Sequence, residues 1–132
     1  MAGTALSRTL LNCVIAAGPL YVLVGIIQIL IRPGFDIKRH ALSLMSNGDL
    51  GWIQIGNFII SGLLIIAFAV GIRLSFKGSP GGTFGPILFA IHGVGLIGAG
   101  IFKADPGLGF PPGTPMDPHG ISTSGLMHFV FG

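Results

Sequence analysis

Seven basic and four acidic residues divide this 132-residue chain into three uncharged runs. They extend from Thr9 to Ile31, Leu50 to Ile72 and Gly78 to Phe102. A helix rises about 1.5 Å per residue and the hydrocarbon core of a bilayer is about 30 Å thick, so roughly 20 apolar residues suffice to cross it. Each run is long enough. Only 8% of the residues are charged against 51% hydrophobic, where a soluble domain carries about 25% charged residues, so the chain cannot cover a water-facing surface. The first run is too long for a cleaved signal peptide and two similar runs follow it, so it reads as a retained span.

The sequence therefore predicts an all-α, polytopic transmembrane helical bundle. Full spans are expected near Leu10 to Ile31, Ile53 to Leu74 and Phe84 to Phe102, with a partial fourth span over residues 122–132. Residues 1–132 then form a single transmembrane domain that is incomplete, because "ISTSGLMHFVFG" starts a span that the sequence does not finish. Pro19 lies inside the first span, where a kink is expected; membrane helices tolerate proline because neighbouring groups satisfy the freed carbonyl.

Three connections join these spans. "KGSPGGTFGP", Lys77 to Pro86, reads as a tight turn. "RPGFDIKRHALSLMSNGDLGW", Arg32 to Trp52, is longer; Ile37, Ala41, Leu44 and Met45 recur at helical spacing, which predicts a short helix on the membrane surface, with Trp52 as an interface anchor. Lys103 to Gly120 holds five prolines and four glycines and should be irregular but stiff. Basic residues are denser in the short segments around Arg8, Arg73 and Lys77, which favours a cytoplasmic N-terminus in a cell membrane.

"HGVGLIGAG", His92 to Gly100, contains G-x-G-x-x-G. A dinucleotide fingerprint requires a strand before it and a helix after it. Here the glycines sit inside an uncharged run, so they read as a close-packing face, with Gly95 and Ala99 as a small-x-x-x-small pair. Gln54, Asn57 and Ser61 share one stripe of the second span; with Gln28 and His92 they are expected to face the bundle interior, because lipid cannot satisfy them. The net charge of +3, with no basic cluster larger than Lys38–Arg39, gives no footprint for nucleic acid. A single cysteine, Cys13, excludes an internal disulfide and a cysteine metal cluster.

With this topology Asp36, His40, Asp49, Asp105, Asp117 and His119 lie in the two long loops on one membrane face, and His128 begins the fourth span beside it. Carboxylates and imidazoles together can hold a metal ion or act as an acid and base pair, which makes Asp36, His40, Asp105, Asp117, His119 and His128 the candidate catalytic residues. The bland readings stand beside them. Asp36 is an N-cap of the surface helix, Asp105 and Asp117 before prolines form turns, and His40, flanked by basic neighbours, is solvated or meets lipid headgroups. No H-x-x-x-H or H-E-x-x-H spacing is present, and no cofactor is named by any motif.

From Gly18 to Arg73, and most specifically in the pattern "RPGFD…RH.LSL…G.LGWIQI.NF", the chain resembles the bacterial and archaeal membrane family known as domain of unknown function 998 (DUF998). "GIFKADPGLGFPPGTP" and "SGLMH" extend the resemblance over nearly everything after Gly18. It implies a multi-pass architecture of about six spans, of which this chain would lack the last two and part of the fourth, and it names no catalytic residue. Three functions remain open at this point. The chain binds or moves a small molecule or lipid within a helical bundle, it is a membrane-embedded hydrolase using loop Asp and His residues with a metal, or it is a structural and assembly protein whose partners are membrane lipid and other helices.

Overall fold

The structure, a computed structural model, describes residues 4–117 and 120–132. Among them the chain forms four α-helices, α1 (Ala5–Ile31), α2 (Gly51–Ser75), α3 (Gly81–Ile101) and α4 (Thr123–Phe131), with a 3-10 turn at Leu42–Ser46 and no strand. The first three are long and apolar enough to cross a membrane.

α1 begins before its uncharged run, and side-chain caps fix the starts of α1 and α4. Thr4 accepts the Ser7 N–H on its side-chain oxygen and starts α1 at Ala5, one turn before Arg8. Ser122 does the same for α4 by accepting the Gly125 N–H at 2.9 Å. α1 continues through Pro19 as one helix. α3 contains Pro86, which has no N–H to give to the carbonyl of Gly82 one turn back. Arg73, in the last turn of α2, donates to that carbonyl instead at 3.1 Å. Its charge there also complements the C-terminal end of the α2 dipole. The short helix expected from Ile37, Ala41, Leu44 and Met45 is replaced by a turn after Asp36 and the 3-10 turn, because the intervening residues fold back onto the second long loop rather than lying flat.

Successive helices run antiparallel, with α2 packed between α1 and α3 and α4 laid against α3. Small residues set the spacing. A Cβ on Gly62 of α2 would lie 2.6 Å from the Gly93 carbonyl oxygen of α3, and one on Gly93 would lie 2.7 Å from the Gly62 carbonyl oxygen. Gly71 meets the α1 backbone at Leu11 just as closely, at 2.8 Å. Gly95, Gly98 and Ala99 face α4, where Phe131 occupies the space a side chain on Gly98 would need.

What is buried along the helices is mostly small or polar: Ala17, Gly25 and Gln28 on α1; Gln54, Asn57, Ser61, Gly62, Ala69 and Gly71 on α2; Gly93, Gly98, Ala99 and Gly100 on α3. The large apolar side chains point outward, Leu30 at 79% exposure, Ile91 at 64% and Phe129 at 75%. A water-soluble bundle does the reverse. Without a hydrophobic force between helices in lipid, association comes from close backbone packing and interhelical hydrogen bonds, and both are present here. The chain is a membrane protein.

Gly62→Leu is expected to separate α2 from α3 and destabilise the bundle by about 1–3 kcal/mol or more, the usual cost of overpacking. Gly56→Ala, whose Cβ would meet nothing within 4 Å, should leave stability unchanged or slightly raised. Unfolding of the two variants in detergent, followed by circular dichroism, tests the pair.

Candidate functional site

Two polar assemblies stand out, one inside the helices and one at the loop end. The inner one starts with Gln28, a turn before the end of α1, whose Nε2 donates to Gln54 Oε1 at 2.6 Å. Asn57, one turn further along α2, donates to the Tyr21 backbone carbonyl at 3.1 Å and to Gln54 Oε1 at 3.4 Å. Ser61 then donates to Asn57 Oδ1 at 3.5 Å. The four side chains form a continuous chain at the α1–α2 interface, and none is more than 4% exposed. It arises because the 3.6-residue repeat lines up Gln54, Asn57 and Ser61 on the face of α2 that meets α1. Gln28 Oε1 and Gln54 Nε2 are buried with no partner in hydrogen-bonding geometry among the described residues. Unpaired amide atoms in an apolar surrounding are costly.

His92 does not join that chain. Expected in the interior, it is exposed on the flank of α3. The neighbouring Gly93 takes the contact with α2, while Gly95, Gly98 and Ala99 take the contact with α4, which turns His92 toward the gap between α1 and α3. There it lines an open groove of about 290 Å³ together with Ala17, Gly18, Tyr21, Val22, Ser61, Ile65 and Leu96.

At the loop end the two long connections fold together around a small core of Leu44, Met45 and Phe110, with Phe35, Leu42 and Ala104 packed on it. His40, expected to be solvated, is 4% exposed. Its Nδ1 accepts the Asp36 N–H and its Nε2 lies against the Leu108 carbonyl, both at 2.9 Å. An N–H can only donate and a carbonyl can only accept, so the proton sits on Nε2 and the ring bridges the loops as a neutral group. Phe35 and Phe110 flank it with ring centroids 5.4 and 5.5 Å away. The reason for the difference from expectation is this long-range partner; Lys38 and Arg39 beside it remain exposed.

Asp36 is exposed and accepts the Lys38 N–H at 2.9 Å, capping a turn rather than a helix. Asp105 accepts the Ser122 N–H at 2.8 Å and the Ser122 hydroxyl, which fixes the start of α4. These two bonds hold its carboxyl below the usual carboxylate range. Asp117 is exposed and shares a shallow groove of about 270 Å³ with Asp105, Thr114 and Ser122. His119 lies outside the described residues. His128 is 7% exposed and its Nδ1–H points at the carbonyls of Phe102, 2.8 Å, and Ala99, 3.2 Å. These belong to the end of α3, where carbonyls lack helical partners, so His128 caps α3 and ties α4 to it. Among the described residues no three His, Cys, Asp or Glu side chains come together to hold a metal ion.

Arg32 and Asn47 organise this end and were not singled out by sequence reasoning. Arg32, 7% exposed, donates to the backbone carbonyls of Met45, at 2.9 Å, and Asn47, and its guanidinium stands 5.2 Å from the Phe110 ring centroid. Burial lowers its pKa and the charge of Asp49 pulls it back up, while the guanidinium stays charged. Asn47 donates across to the Ala104 carbonyl at 2.9 Å. A signal for Arg32 was available: it follows Gln28 by four residues and so falls on the inward face of α1.

The profile of the family described as Protein of unknown function (DUF998) matches residues 15–132. No curated protein and no solved structure matches the chain.

Two expectations follow from this geometry. Gln28→Leu or Gln54→Leu alone strands its partner and should destabilise the bundle by about 1–3 kcal/mol, while the double substitution should recover most of the loss, because both polar ends go together; denaturant unfolding of all four forms measures the coupling. For Asp105, a lowered folded-state pKa means that its contribution is present above the ordinary carboxylate value and is lost as pH falls through the lowered one. Hydrogen exchange at the Ser122 and Gly125 amides should therefore stay slow down to that acid range in the wild type, and be fast already at neutral pH in Asp105→Asn.

Proposed function

The chain belongs to the DUF998 family, and on that premise we propose that it is a multi-pass protein of a bacterial or archaeal cell membrane that binds or moves a small molecule or lipid within its helical bundle. Residues 1–132 act in this reading as one transmembrane domain, with the N-terminus on the cytoplasmic side. The observation that carries the proposal is the buried chain Gln28–Gln54–Asn57–Ser61 with its two unpartnered amide atoms. The bonds between α1 and α2 serve helix association, but the two amide atoms left over go beyond what that association uses.

The loop-based hydrolase reading has less support. His40 has both ring nitrogens committed to backbone partners, and His128 has its Nδ1 committed and only Nε2 left for proton transfer. A purely structural role accounts for the bonds between α1 and α2 but leaves the two unpaired amide atoms unexplained.

The test is retention of a ligand. Wild-type chain purified in mild detergent, analysed by mass spectrometry of its extracted small molecules and lipids, is expected to carry a bound compound at near one per chain. Asn57→Leu should cut that occupancy at least tenfold, whereas Asp117→Asn should leave it unchanged; the opposite pattern would transfer the function to the loops.

A further inference from the structure

α1 and α3 both pack on α2 and hardly touch each other, so a groove runs between them with α2 as its floor. Ser61 lies at the floor, His92 on the α3 wall and Tyr21 on the α1 wall, with Ala17, Gly18, Val22, Ile65 and Leu96 completing an apolar lining. We propose that this groove is a lateral site for a neutral lipid whose compact head carries a hydroxyl or carbonyl oxygen, of the isoprenoid quinone or isoprenoid alcohol class. The proposal rests on the binding reading above and gives it a location and a ligand chemistry.

The depth of the groove selects the class. Ser61 stands about 15 Å from the start of α2 and about 21 Å from its end, so the groove opens near the middle of the hydrocarbon layer. Phospholipid headgroups stay at the interface, whereas quinones and long-chain alcohols place a weakly polar oxygen within the layer. The charge of the groove points the same way. No Lys, Arg, Asp or Glu lines it, and an ionic ligand at this depth would need a counter-charge.

The polar atoms match one oxygen. Ser61, at the groove floor, is 1% exposed and spends its hydroxyl hydrogen on Asn57 Oδ1, so toward a ligand its oxygen can only accept. The imidazole of His92 makes no hydrogen bond to any described residue and, when neutral, offers one donor and one acceptor. A hydroxyl between them donates to Ser61 Oγ and accepts from His92, while a carbonyl accepts from His92 alone; either relieves an imidazole that would otherwise face hydrocarbon unpaired. The volume of about 290 Å³ has room for roughly ten water-sized atoms at about 30 Å³ each, the size of one ring with its substituents. Beyond Ser61 the site continues into the Asn57–Gln54–Gln28 chain, so a bound hydroxyl is in hydrogen-bonded continuity with the buried amides.

Binding of radiolabelled farnesol and of a radiolabelled short-tailed benzoquinone to the purified chain in detergent tests the proposal and separates the two sources. At least one probe is expected to saturate at one per chain without competition from phosphatidylglycerol. Gly18→Leu, whose Cβ enters open space and whose side chain fills the groove, should weaken binding at least tenfold. His92→Phe should do the same, and His92→Gln, which keeps a donor and an acceptor, should stay within about threefold of wild type. Helical circular dichroism confirms that each variant is folded. If neither probe binds, or if binding is unaffected in folded Gly18→Leu and His92→Phe, the proposal is overturned. Should the wild type then still retain a different compound that Asn57→Leu releases, the binding reading survives without the groove; with no retained compound of any kind, both fall.

Discussion

Close backbone contact between α2 and α3 is the constraint on which the other features depend. Gly62 and Gly93 face each other with no room for a Cβ on either, and in lipid such contact supplies the packing that burial of large side chains supplies in water. Once these two helices touch backbone to backbone, their Leu and Ile side chains are displaced outward, where lipid accepts them. The positions left inside then hold small residues or amides. A groove between α1 and α3 is a geometric result of the same arrangement, because a single central helix carries a neighbour on each side.

The loop end follows different physics. Water is available there, so a small core of Met45 and Phe110 can form by ordinary burial, and charged or polar side chains are drawn in as donors to backbone carbonyls. Arg32, His40, Asn47 and His128 all bond to backbone carbonyls of segments remote in sequence. Their common task is to satisfy backbone groups in irregular, proline-rich connections that cannot satisfy themselves. This explains how two loops with little regular structure become a defined cap over the inner amide chain.

Much of the helical architecture was legible because charge and span length are local properties: Arg32, Arg73 and Lys103 fall at or within a few residues of helix ends, as their spacing indicates. The stripe of Gln54, Asn57 and Ser61 was legible for the same reason, since helical periodicity alone aligns it. What escaped was set by distant partners. His40 reads as solvated beside Lys38 and Arg39, and only the Leu108 carbonyl, 68 positions away, makes it a buried bridge. His92 reads as interior because the sequence does not say which of two neighbours each face of α3 will meet. Asp105 reads as a turn residue before proline, while its carboxylate serves the start of α4 through Ser122.

The bond from Arg73 to the Gly82 carbonyl makes positions 73 and 86 a unit of inheritance. A proline at 86 is tolerable when a cation at 73 supplies the missing donor, and a cation so near the end of a span is worth keeping while that proline persists. In diverging descendants of this chain the two should change together: loss of the ring frees the guanidinium to drift to a lysine or a neutral residue, whereas loss of the guanidinium first would leave a bare carbonyl and a selective disadvantage.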